Sequence, residues 1–146
     1  DNDLIPTGKI GTVEKTPLDF RDSTPIGDRI HQLPPQPEFR NPGGYDHNMV
    51  LNDYTGALSL AARVYEPSSG RIMEVFTTEP AMQLYTGNFL DGTIIGKNGV
   101  AYEKHFGLCI ETQHYPDSVN QPDFPSTILD PDEIYATTTT FKFSTD

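Results

Sequence analysis

The alternation of apolar and polar positions is sharpest between Phe106 and Ile110. Phe106, Leu108 and Ile110 fall on one side, and His105, Gly107, Cys109, Glu111 and Gln113 on the other. A period of two marks a half-buried strand, so a strand is predicted here with Phe106, Leu108 and Ile110 facing a core. The opposite face begins with small residues and ends on a carboxylate and an amide, after which Tyr115-Pro116-Asp117-Ser118 predicts a turn. A shallow floor at Gly107 and Cys109 beneath a polar rim at Glu111 and Gln113 suits a hydroxyl-rich ligand. A second alternating stretch covers residues 59–66, with Leu60, Ala62 and Val64 on one side and Ala61, Arg63 and Tyr65 on the other. Pro67-Ser68-Ser69-Gly70 predicts a turn, and residues 71–78 the return strand of a hairpin. Further strands are predicted at 48–51, at 81–86 with Met82 and Leu84 inward and Gln83 and Tyr85 on the opposite face, and at 134–143, rich in Thr and aromatic residues.

The first forty residues are punctuated by Ile5-Pro6-Thr7-Gly8, Thr16-Pro17 and Leu33-Pro34-Pro35-Gln36-Pro37, leaving room for short strands at 9–14 and 18–20 and a helical turn within 27–32. Gly43 and Gly44 predict a tight bend that puts Asp46 and His47 at a loop-to-strand junction, where functional side chains often lie. With 13 Pro and 12 Gly in 146 residues and no long apolar helical stripe, the expected fold is all-β and sandwich-like, organised as one domain.

Charge and cysteine usage narrow the function classes. A net charge of −11 leaves no basic patch to neutralise phosphates, which argues against nucleic acid and anionic membrane surfaces as partners. No run is long and apolar enough for a transmembrane helix. Cys109 is the single cysteine, so no intrachain disulfide is possible, nothing requires an oxidising compartment, and a cytoplasmic location is expected. The chain opens Asp1-Asn2-Asp3, without an initiator methionine or signal-peptide pattern, as a processed product or a piece of something longer would.

The four histidines, His31, His47, His105 and His114, make no metal-binding spacing, and no nucleophile motif occurs, so neither a metal nor another cofactor is expected. Asp46, Gln83 and Glu111 remain. Two carboxylates and an amide at the ends of separate strands are able to line one sugar site, because these side chains bind hydroxyl groups in pairs. Ordinary surface polarity is the plain alternative.

Three blocks go further. G-G-Y-D-H-N at 43–48, T-E-P-A-M-Q-L-Y-T-G-N-F-L at 78–90 and G-L-C-I-E-T-Q-H-Y-P-D-S-V-N-Q-P-D-F-P-S at 107–126 together resemble the aldose 1-epimerases, the galactose mutarotases. I-P-T-G at 5–8, P-L-D-F-R at 17–21 and the closing strand match the same family in the same order. The resemblance implies part of that family's large antiparallel β-sandwich, with residues 1–146 forming the C-terminal portion of a single domain and the N-terminal portion absent. It implies interconversion of the α and β anomers of free hexoses such as galactose and glucose. By the same resemblance Glu111 is the general base at the C1 hydroxyl, while Asp46 and Gln83 contact the sugar. The family's general acid is a histidine in the portion this chain does not contain. His105 is about 20 Å from Glu111 along a strand at ~3.3 Å per residue, His114 has the opposite parity, and His47 points away from its neighbour Asp46. The expected partners are therefore a monosaccharide and either the missing N-terminal portion or a second copy. Two other possibilities stay open: a non-catalytic carbohydrate-binding β-sandwich module, and a purely structural one. The related hexose-6-phosphate epimerases need cations for the phosphate, and the charge of −11 favours unphosphorylated sugars.

Overall fold

The computed structural model describes residues 5–39, 41–52 and 54–146. Its six strands are β1 (Asp46–Val50), β2 (Ser59–Glu66), β3 (Arg71–Thr77), β4 (Ala81–Tyr85), β5 (Cys109–Gln113) and β6 (Thr139–Thr145). They form two three-stranded sheets, ordered β1-β4-β5 and β2-β3-β6, and the helical content described is confined to three-residue 3-10 turns such as Ile30–Gln32. The all-β expectation holds. No helix among the described residues is long and apolar enough to cross a membrane. The chain separates into two compact units, Asp1–His47 with Leu84–Ile110 and Asn48–Gln83 with Glu111–Asp146.

The first unit is built around Tyr45, which is fully buried. Its ring meets Phe20 edge-on at 5.2 Å, its hydroxyl donates to the Pro17 carbonyl at 3.2 Å, and the Arg29 guanidinium stands 5.3 Å over Phe20. The Tyr45 backbone is claimed by a polar knot: its N–H donates to Thr86 Oγ1 at 3.0 Å, and its carbonyl accepts from Asn88 Nδ2 at 2.7 Å. The preceding bend runs against the backbone of residues 33–35 and has no room for a side chain. Gly43 and Gly44 have φ of +77° and +89°, and a Cβ on Gly43 would lie 2.7 Å from the Leu33 carbonyl oxygen. Gly43→Ala is therefore expected to destabilise the full-length protein by about 1–3 kcal/mol from backbone strain alone, with the clash added, as a lowered denaturation midpoint would report.

The second unit contains the predicted hairpin. Its turn is fastened by the Glu66 carboxylate, which accepts from the N–H groups of Ser68 and Ser69, both at 2.9 Å, and is held down to about 2 by the serine hydrogen bonds. The alternation predicted for β2 breaks at its start. Leu60 pairs with Phe76 but Ala62 pairs with Val75, so Ala61 is the extra residue of a β-bulge. Leu60 consequently shares a face with Arg63 and Tyr65 rather than with Ala62 and Val64, because cross-strand partners lie on the same face. β3 continues into β6 with Val75 opposite Phe141 and Met73 opposite Phe143.

Other expectations need correction. No strand forms at 9–14 or 18–20, where Thr16 ties the chain into a turn, its N–H and its hydroxyl both bonded to the Val13 carbonyl at 3.0 and 2.6 Å. The central strand starts at Cys109 rather than Phe106, because the chain turns at His105 (φ +67°) with the Phe106 N–H bonded to the Glu103 carbonyl at 3.1 Å. Phe106 is 63% exposed and Leu108 is also exposed, so the apolar side of the alternation is not a core face of this chain. Gly107 precedes the strand and forms no floor within it. The last strand begins at Thr139 rather than near residue 134, since Asp130 and Glu133 close a turn on one another, and Ile134 is 89% exposed.

Candidate active site

Glu111 is the middle residue of β5 and is exposed, two residues before the strand ends rather than at its end. Gln113 shares its face by the period of two, and Gln113 Nε2 donates to Asn48 Oδ1 of β1 at 3.3 Å. Gln83 is the middle residue of β4, half-buried, on the strand next to β5 in the sheet order. The second unit thus places Gln83 and Glu111 on neighbouring strands. Asp46 belongs to the first unit, where it heads β1 with an exposed side chain. Its backbone N–H donates to Nδ1 of His47 at 3.0 Å, and burial pushes the His47 imidazole down against the pull of the Asp46 charge. His47 is therefore predisposed to be neutral, with its proton on Nε2. Among the described residues, no group of three His, Cys, Asp or Glu side chains gathers as a metal site would require. Cys109 is a free, exposed thiol.

Thr112 and His114, the even-numbered neighbours of Glu111, are tied to other parts of the same unit. Thr112 Oγ1 meets Thr139 Oγ1 of β6 at 2.7 Å, and Thr139 Oγ1 meets Thr77 Oγ1 of β3 at 3.2 Å. Immediately beyond β5, His114 Nδ1 lies 2.7 Å from Glu79 Oε2. Glu79 is only 4% exposed, and its other oxygen accepts from the Tyr135 hydroxyl at 2.6 Å. Burial alone would raise this carboxyl, but hydrogen bonds from Thr137 and Tyr135, with the charge and hydrogen bond of His114, outweigh it and hold Glu79 below the usual range. Its N–H is satisfied by Thr77 Oγ1 at 3.0 Å.

This cluster was not singled out from the sequence. Its only trace there is an acidic residue wedged between Thr78 and Pro80 just ahead of an apolar strand, where a solvated turn carboxylate is the ordinary expectation. The turn after β5 was anticipated. The Ser118 N–H and hydroxyl both bond the Tyr115 carbonyl, at 3.2 and 2.6 Å, and the Tyr115 ring meets Phe124 edge-on at 5.0 Å.

Comparison with known proteins agrees with the residue pattern. Residues 1–142 match the family model described as aldose 1-epimerase. Over 144 residues the chain is 50% identical to the galactose mutarotase of Mus musculus and 46% identical to that of Homo sapiens, in each case covering 99% of this chain and 40% of the relative. It is 33% identical over 145 residues to the aldose 1-epimerase of Escherichia coli, covering 41% of that protein. The crystal structure of an aldose epimerase homologue from C. elegans superposes with a TM-score of 0.78 at 28% identity, over 99% of this chain and 42% of that one. The chain thus spans about two fifths of the length of the relatives it matches, and within that span it belongs to the aldose 1-epimerase family.

Proposed function

We propose that the protein is an aldose 1-epimerase in which Glu111 is the general base, with Asp46 and Gln83 binding the sugar and residues outside this span supplying the general acid. The observation that carries this is the exposed Glu111 carboxylate within E-T-Q-H-Y-P-D-S, on the strand beside the one bearing Gln83, in a chain of this family. Mutarotation requires no net redox change or group transfer. The base takes the proton of the C1 hydroxyl while the acid protonates the ring oxygen. The bond from C1 to that oxygen breaks, and the open aldehyde forms. Rotation about C1–C2 and reclosure from the other carbonyl face return both protons with the roles of acid and base reversed. An ionised carboxylate suits the first transfer, and a positioned group of this kind contributes on the order of 10²–10⁴-fold. Asp46 and Gln83 supply hydrogen bonds to ring hydroxyls, which discriminate well because a missing hydroxyl would leave them unpaired.

The substrate class we infer is the free hexose, since the net charge of −11 over this span disfavours a phosphorylated sugar. A free exposed thiol, Cys109, suits a reducing compartment, which supports placing the enzyme in the cytoplasm. The N-terminal portion of the same domain is the partner we assign to this span. Polarimetric decay of α-galactose and α-glucose tests the activity. The full-length protein is expected to accelerate both, and Asp46→Asn to raise KM more than it lowers kcat. Anomer exchange no faster than in buffer would overturn the assignment.

A further inference from the structure

We propose that Glu79 and His114 form a positioning pair that fixes the register of β5 against β4 and so the face on which Glu111 emerges. This rests on the mutarotase activity proposed above. Glu79 sits two residues ahead of β4, four residues before Gln83, and His114 sits one residue past β5, three after Glu111. The 2.7 Å contact between them therefore joins the entry of one site-bearing strand to the exit of the other, within one unit. Register matters here because a slip of one residue exchanges the two faces of a strand. After such a slip Thr112 would stand where Glu111 should, and the carboxylate would point at the β6 side.

Three features mark the pair as built for holding rather than as a surface ion pair. The Glu79 carboxylate is almost wholly removed from solvent. One of its oxygens accepts from the Tyr135 hydroxyl, and the other lies 2.7 Å from the His114 ring. The hydroxyl chain from Thr112 through Thr139 to Thr77, which in turn bonds the Glu79 N–H, closes the same connection a second time. The members of this set that come from β5 and its exit are Thr112 and His114. The odd-numbered side, Glu111 and Gln113, is left facing the other way. A buried charge retained as a register device is among the better attested uses of such a group. The role assigned to Glu79 and His114 is exerted through Glu111, not on the sugar itself.

The test uses the full-length enzyme and its Glu79→Gln, His114→Gln, Tyr135→Phe and Glu111→Gln variants, with kcat and KM for α-galactose measured well below each melting midpoint and normalised to folded protein. Misplacement of a catalytic group by about 1 Å is able to cost on the order of 10²-fold, so Glu79→Gln and His114→Gln are each expected to lower kcat by roughly 10–100-fold with KM little changed. The double variant should lose no more than either single one, since the two act as a unit. Tyr135→Phe removes one hydrogen bond at an exposed side chain and should shift kcat in the same direction by less; it serves if Glu79→Gln fails to fold. Lowered melting midpoints with unchanged kcat would overturn the positioning role while Glu111→Gln still abolished activity. A wild-type enzyme without activity would overturn the activity and the positioning role together.

Discussion

Glu111→Gln in the full-length enzyme is expected to lower kcat for anomer exchange by roughly 10²–10⁴-fold while leaving sugar binding largely intact. The amide keeps the size and hydrogen-bonding reach of the carboxylate but is no base, so what is lost is the proton acceptor alone. The surroundings favour a clean result. Glu111 is exposed in the middle of β5, so no buried charge is left without its partner when it is neutralised. The strand around it is held by Thr112, Gln113 and His114, none of which is altered. Polarimetry on α-galactose gives kcat, and calorimetric titration of the inactive variant gives sugar affinity. Wild-type rates in the variant would remove Glu111 from the mechanism. Loss of binding as large as the loss of rate would make it a sugar contact instead.

What was legible in the sequence follows from how local each signal is. The hairpin of β2 and β3 could be read because its turn chemistry, Pro67-Ser68-Ser69-Gly70 after Glu66, is complete within six residues. The bulge at Ala61 could not, since a bulge is a property of two strands and Leu60-Ala61-Ala62 alternates as well in either register. The stretch before β5 misled for a related reason. Phe106 and Leu108 alternate like a strand, but His105 adopts a left-handed conformation and its ring Nδ1 lies 2.9 Å from the Thr86 carbonyl oxygen, a contact nineteen residues away in sequence. At the candidate site, Asp46, Gln83 and Glu111 were reachable because each stands in a block whose wording resembles the family. The support behind them was not. Glu79, His114 and Tyr135 come from three separate stretches and meet only in the folded unit, and nothing in the local composition of any of them announces a partner.

Residues 1–146 purified by themselves are expected to show no measurable acceleration of anomer exchange and to associate in solution. The catalytic half follows from what the four histidines are doing. His114, one residue past β5, has its Nδ1 2.7 Å from the buried Glu79 carboxylate. His47 is pushed towards its neutral form by burial, with Nδ1 accepting from the Asp46 N–H, which suits it poorly to protonate a ring oxygen. His105 has its Nδ1 against the Thr86 carbonyl, and His31 sits in the 3-10 turn Ile30–Gln32, both in the first unit. The general acid is instead expected from residues outside this span of the family's domain. The association half is a matter of uncovered apolar surface. β6 is exposed along its whole length, with Phe143 73% exposed on the face it shares with Met73 and Val75 and with no further strand along its outer edge among those described. Unpaired backbone groups beside exposed phenylalanines invite strand pairing with another polypeptide. Size-exclusion chromatography with light scattering, run beside the polarimetric assay, checks both halves. A monodisperse, cooperatively melting monomer would show that the apolar face needs no cover. Acceleration of anomer exchange by that monomer would show that one of these four histidines, or another group within 1–146, is the acid.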